Sequence, residues 1–335
     1  MLARLMRRFL LALLLAAVLL GALGLGGCGS SGSARSKHPT ASLVLDFTPN
    51  AVHAGIYTAI ARGYDVRAGV HLHVVIPSAT TDSIKLLESG RVNFAILDIH
   101  DLAIARERGA DIVGIMALEQ LPLAAVIAAP QIRDPRELQG QTVGITGVPS
   151  DTAVLDSIVA GGGGVPAKVK TIVIGYNAVA DLLAGRVAAV TAFWNDEGVT
   201  LNRSRPGFHV FRVDQYGAPS YPELVLCATG AELRTDPALA RSVVQALVRG
   251  YSTVLRDPQA GERALETLVP GLDPGLVTAE LRGLLPAFRL PGEQVGELDP
   301  RTLQAWARWE VRFGIVNRAP DVASMFAPGF VGRGT

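Results

Sequence analysis

Short apolar runs alternate with stretches of helical spacing along most of the first 230 residues. Runs of strand length predict β-structure over 43–47, 72–76, 94–97 and 112–118, then over 143–146, 169–174, 189–194 and 209–213. Helical patterns fall between them, over 54–68, 81–88, 152–159 and 178–184. Such alternation implies parallel sheets with helices on their faces. An internal echo divides the series in two. LLESGRVNFAI (86–96) and LLAGRVAAVTAF (182–193) each place Gly-Arg-Val between a helix end and an apolar strand. Each glycine stands where a helix stops in the left-handed conformation that glycine adopts at little cost. Two copies about a hundred residues apart fit a chain that builds two similar lobes.

Beyond residue 229 the pattern turns helical throughout, over 237–256, 258–268, 274–286 and 300–313. Asp236, Asp257, Asp273 and Asp299 each precede a proline, which pairs an N-cap with a favoured first-turn residue. These helices need a sheet to cover, and the first lobe offers one. The chain is then expected to leave lobe one near 121–130 and to return near 221–228, with a ligand cleft beside the two crossings. The expected organisation is lobe one over 41–122, lobe two over 123–225, and a helical second part of lobe one over 226–335.

The N-terminus belongs to neither lobe. Arg4, Arg7 and Arg8 precede the apolar run FLLALLLAAVLLGALGL, and Leu25-Gly26-Gly27-Cys28 leads into GSSGSARS. A basic start, an apolar core and small residues at the cut read as an export signal over 1–27. The ending resembles a bacterial lipobox, with Cys28 lipidated and residues 28–40 as a flexible tether. The protein is then expected on the outer face of the bacterial cytoplasmic membrane, held by its lipid. An ordinary signal peptide and an uncleaved anchor are the competing readings, and 9–25 is short for a span of roughly 20 residues.

Composition narrows the classes further. The chain is 49% hydrophobic and 18% charged with a net charge of +1, which supplies a core but no nucleic-acid footprint. With Cys28 set aside, Cys227 in the apolar ELVLCA is left without a disulfide partner and reads as a buried thiol. His71 and His73 alternate along one strand without a nearby acid or cysteine, so they read as a strand face and no metal is expected.

LDFTPNAVHAG (45–55) concentrates Asp, Phe, Asn and His where a strand hands over to a helix. With LLESGRVNFAI, ELQGQTVGITGVPSD and AFWNDEG, it resembles the ABC-transporter solute-binding proteins that capture a thiamine pyrimidine precursor, a family related to the thiamine pyrimidine synthases. The resemblance spans roughly residues 42–270. It implies a type II periplasmic-binding fold with a heteroaromatic solute held between two α/β lobes joined by a two-strand hinge. Carried over by position, it implies Phe47 as a stacking wall, Asn50 and His53 as polar partners, Trp194 and Tyr221 as further aromatics and Glu197 as the acid. Asn195 joins the candidates from the same AFWNDEG segment. Asp196, and the pair His100-Asp101, depart from the family's residues at their positions.

The chemistry of a flat, amine-bearing ring suits this set. Aromatic faces stack, and ionised carboxylates accept its N–H groups. Asp98, Glu197 and Asn50 are expected as acceptors, and the capping turn at Ser150 is expected to turn N–H groups toward the cleft. His53 reads equally as a ligand donor or as a cap that holds its loop. Catalysis is not expected. No Gly-x-Ser-x-Gly elbow is present. The synthases' cofactor lysine is replaced by Leu97, and only Cys227 stands where they carry a cysteine-rich iron site. The expected protein is a monomer without cofactor that delivers a small solute to an ABC permease and ATPase. Riboflavin, a sulfonate or nitrate are the alternative solutes, and a tethered sensor the alternative role.

Overall fold

The computed structural model describes residues 38–79, 82–148 and 150–332. Cys28, the expected signal and most of the expected tether lie outside them. The first of two five-stranded sheets contains β1 (Thr40–Val44), β2 (His71–Val75), β3 (Phe94–Asp98), β4 (Ile112–Ala117) and β10 (Leu224–Thr229), ordered β2-β1-β3-β10-β4. The second contains β5 (Ala124–Ala128), β6 (Thr142–Ile145), β7 (Lys170–Val173), β8 (Ala189–Phe193) and β9 (His209–Arg212), ordered β7-β6-β8-β5-β9. The orders match element for element. β1 runs parallel to β2 and β3, and β6 runs parallel to β7 and β8. In each sheet the strand arriving from the other lobe, β10 or β5, inserts antiparallel to both neighbours.

Those two arriving strands are the ones the periodicity leaves as crossings. AAVIA in β5 is buried at every position, and LVLCAT in β10 at all but the last. Each is an apolar run lying where the chain changes lobe, which is why it reads as a crossing. The helix expected over 54–68 is two, α1 (Ala54–Ala61) and α2 (Tyr64–Arg67), because Gly63 takes φ +61 between them. α3 (Asp82–Glu88), α4 (Ile99–Glu107), α5 (Ser150–Gly161), α6 (Ala178–Leu183) and α7 (Glu197–Ser204) follow. The glycines of the echoed motif, Gly90 and Gly185, close α3 and α6 at φ +66 and +67.

The C-terminal part supplies α8 (Gly230–Thr235), α9 (Pro237–Arg256), α10 (Pro258–Leu268), α11 (Pro274–Leu284), α12 (Pro300–Arg312) and α13 (Val322–Met325). Asp236, Asp257, Asp273 and Asp299 accept backbone N–H bonds from Leu239, Ala260, Leu276 and Thr302, so each caps its helix. α9 crosses α1 so closely that a Cβ on Gly250 would collide with the Gly55 carbonyl. This pins the loop after β1. No helix among the described residues is long and apolar enough to cross a membrane.

Two buried glutamates stitch the crossings together. Glu119, on the way out, accepts from Leu224 N at 2.7 Å, while Glu223, on the way back, accepts from Leu123 N at 2.7 Å and Ala124 N at 2.8 Å. Each crossing thereby satisfies the other's backbone, which fixes where the hinge sits. Beneath them His100 is fully buried, bonded through Nδ1 to Glu310 and through Nε2 to the Tyr221 hydroxyl at 3.0 Å. Burial lowers its pKa, but neighbouring Glu310, Asp98 and Glu223 outweigh that and hold it well above the usual value, which favours the protonated ring among these carboxylates.

Candidate functional site

The parallel strands of both sheets end at one place, where α/β sheets hold ligands. A cleft of about 930 Å³, counting its open mouth, lies there. β1 leads into Asp46 and Phe47, and β3 into Asp98 and Asp101. From the other sheet come Thr146 and Ser150 after β6, Tyr176 after β7, and Phe193, Asp196 and Glu197 at the end of β8. Phe47 and Tyr176 meet edge to face across the cleft, with ring centroids 4.5 Å apart at 84°.

Seven carboxylates line this space, and no Lys, Arg or His stands among its lining residues. They fall into two groups by the neighbours that act on them. Burial, then Asp196 and Asp46, push Glu197 up to about 8. Burial also raises Asp196 to about 6, against the lowering effects of His53 and the Asn50 bond. In the second group burial raises Asp98 well above the ordinary range and Asp101 to about 6, both partly offset by His100. Asp151 is raised by burial although Thr146, Gly147 and Thr191 bond to it. Glu223, fully buried, completes this group. Burial favours the neutral form of a carboxyl, and a cation or an N–H donor placed beside it favours the ionised form.

Four of the nine expected ligand residues line the cleft: Phe47, Asp98, Ser150 and Glu197. Glu197 Oε2 accepts from Phe193 N at 3.1 Å, which aims the carboxyl along the end of β8. Asp98 caps α4 by accepting from His100 N at 2.7 Å. Ser150 donates to Asp101 Oδ1 from the opposite lobe at 3.4 Å.

The other five stand behind the wall. His53 is fully buried; its Nδ1 accepts from Asn50 N at 3.2 Å, so its Nε2 proton points to Asp46 at 2.9 Å. It is the cap rather than a ligand donor. Asn50 caps the 3-10 turn Ala51–His53 through Oδ1 and donates through Nδ2 to Asp196 Oδ2 at 2.9 Å, tying lobe to lobe. Trp194, expected as a stacking face, instead donates from its indole to Pro122 O at 2.9 Å and lies under Arg212, whose Cζ is 4.4 Å from the ring centroid. β-strand alternation turns it away and presents Phe193 to the cleft. Tyr221 is a fully buried pillar on His100. Asn195 is fully buried, and its side-chain amide has no hydrogen-bond partner among the described residues.

Residue-by-residue reading of the sequence misses Tyr176, Phe193 and Glu223. Tyr176 follows an apolar strand just as Phe47 does, and that shared strand-to-helix position was the available signal. Nothing local marks Glu223, whose place depends on two crossings meeting.

Two mirrored sheets, a double crossing and a cleft at the strand ends define the class: this is the periplasmic-binding-protein fold. The alkanesulfonate-binding protein SsuA from Xanthomonas axonopodis pv. citri bound to MOPS shares it, with a TM-score of 0.68 at 15% identity over 86% of this chain and 98% of that one. Residues 50–261 match the NMT1/THI5 like family, and the chain belongs to it. It is 30% identical over 237 residues to the formylaminopyrimidine-binding protein of Halalkalibacterium halodurans, covering 70% of this chain and 71% of that protein. A putative thiamine biosynthesis protein of Haemophilus influenzae is 24% identical over 282 residues, covering 83% of this chain and 88% of its own.

Proposed function

We propose that this protein is the extracytoplasmic solute-binding component of an ABC importer, and that its cleft receives a small, donor-rich heteroaromatic of the thiamine-precursor type, such as formylaminopyrimidine or hydroxymethylpyrimidine. The observation that carries this reading is the lining of seven carboxylates without a cationic side chain. An aminopyrimidine offers N–H donors to such a wall and a flat face to Phe47, Tyr176 and Phe193. A sulfonate or nitrate would meet carboxyl groups there and no cationic side chain to pair with. The flavin ring presents carbonyl acceptors along its dioxopyrimidine edge, which carboxylates oppose. The relative from Halalkalibacterium halodurans, named for formylaminopyrimidine, supports the same solute.

The role is binding rather than catalysis, with a permease and an ATPase as partners and a lipid on Cys28 as the anchor. The lobe boundaries proposed are 41–122, 123–225 and 226–335. A ligand that binds only the folded state raises the melting temperature as its concentration exceeds Kd. Hydroxymethylpyrimidine is expected to raise the melting temperature of the full chain and ethanesulfonate to leave it unchanged; the reverse pattern overturns the reading.

A further inference from the structure

The two crossings are not the only link between the lobes. α11 belongs to lobe one, where Val277, Leu281 and Leu284 enter the same core as β1 and α1. Its other positions reach lobe two. At its start Asp273, which caps the helix, lies 3.7 Å from the Arg203 guanidinium near the end of α7. The first turn comes so near that a Cβ on Gly275 would stand 3.0 Å from Arg203 Nη2. In the middle of the helix Glu280 is buried and accepts from Ala51 N at 3.2 Å, which seats the 3-10 turn Ala51–His53 on α11. The cap of that turn, Asn50, bonds Asp196 immediately before α7. At the end of the helix a Cβ on Gly283 would touch the Trp194 ring at 3.4 Å. α7 is therefore held at both ends, through Asn50 and through Asp273, by parts mounted on one helix of the other lobe.

From this geometry we infer that α11 is an interlobe clasp, a helix of lobe one that holds α7 of lobe two and so sets how far the cleft stands open. Its inner face moves with lobe one, whereas Asp196, Trp194 and Arg203 move with lobe two. A rotation of the lobes about the crossings must pull these contacts apart or past one another. The two ties differ in kind. The Arg203–Asp273 pair is about half exposed and contributes little by itself. The Asn50–Asp196 bond is partly buried and shorter, at 2.9 Å, and joins an amide to a carboxyl, which makes it the stronger tie. Asn50, Arg203 and Asp273 do not line the cleft, so the clasp acts on any solute alike. A solute that binds the closed form sees its affinity reduced by the fraction of molecules that stand open.

Like charge placed at either end of α7 tests the clasp without removing a helix cap. Asn50→Asp keeps the oxygen that accepts from Val52 N but sets a carboxylate against Asp196, and Arg203→Glu sets one against Asp273. Spin labels on Glu88→Cys in lobe one and Ala184→Cys in lobe two, both exposed, read the interlobe distance in the full chain by double electron–electron resonance. Cys28→Ser is included, so that only the introduced thiols and the fully buried Cys227 remain. Without solute, the labelled parent is expected to give one main distance. Asn50→Asp and Arg203→Glu are each expected to add a second, displaced distance, and the double variant to make it dominant. Adding Asp196→Asn to Asn50→Asp restores the bond with donor and acceptor exchanged and is expected to bring the first distance back. Arg203→Glu, on the surface, carries the test if Asn50→Asp does not fold, with Asp273→Asn, which keeps an oxygen for the α11 cap, as its reversal. A distance unchanged in Arg203→Glu and in the other variants that fold overturns the clasp. A displaced distance that neither Asp196→Asn nor Asp273→Asn reverses overturns its assignment to these ties.

Discussion

Replacing Glu197 by Gln isolates the charge of the acid that the cleft presents at the end of β8. In the wild type Oε2 is held by Phe193 N, leaving Oε1 for the solute. The Gln oxygen must take over the Phe193 bond, which turns the amide NH₂ toward the cleft and sets a donor against the ligand's own N–H. The lost bond is a charge-assisted one, worth about 1.5–3 kcal/mol, so affinity for an aminopyrimidine is expected to fall roughly tenfold to hundredfold. The fold should survive, because the Phe193 bond is kept and a buried acid is neutralised. The sign of the pH dependence follows. Glu197 sits at about 8 in the free protein, and a donor ligand holds it ionised, so its bound value is lower. Its contribution is complete above about 8 and is lost as pH falls toward the bound value, by at most tenfold per unit. Calorimetry at several pH values between 6 and 8.5, on both proteins, reads the affinity and the slope together. Unchanged or tighter pyrimidine binding by Glu197→Gln, or an equal pH slope in both proteins, refutes the reasoning.

The remaining predictions test other parts of the structure. Phe47→Ala is expected to weaken pyrimidine binding by roughly threefold to tenfold, whereas Trp194→Ala lowers the melting temperature with a smaller effect on affinity; the opposite ranking would return Trp194 to the cleft. His100→Ala leaves Glu310 and Glu223 buried without their cation and should cost about 3–5 kcal/mol in urea unfolding; a loss below about 1 kcal/mol contradicts the buried imidazolium. Cys28→Ser should abolish palmitate labelling and release the protein from the membrane fraction, and continued labelling would contradict the lipid anchor.

The short apolar strands and the capped helices were legible because their signals are local. The Asp-Pro pairs named four helix starts, and the repeated Gly-Arg-Val placed two left-handed stops. β5 and β10 were read as crossings because each lies where the chain changes lobe, and their pairing partners are distant in sequence. The cleft lining was legible at Phe47, Asp98, Ser150 and Glu197, which occupy strand ends or helix starts. It misled at Trp194, where one step along a strand exchanges the cleft for the hinge, and at His53 and Tyr221, whose polar atoms serve Asp46 and His100. Beyond Asp98 and Glu197, the acidic character of the wall was not readable, since its seven carboxylates come from five separate segments that meet only when both sheets and their crossings have formed.

The central claim is that this carboxylate-walled cleft selects a donor-rich pyrimidine over an anion. Calorimetric titration of the full wild-type chain against hydroxymethylpyrimidine, riboflavin, ethanesulfonate and nitrate tests it directly. Saturable one-to-one binding of the pyrimidine, with the two anions silent and riboflavin weaker, is the predicted result. Binding of ethanesulfonate or nitrate with no response to the pyrimidine would contradict it.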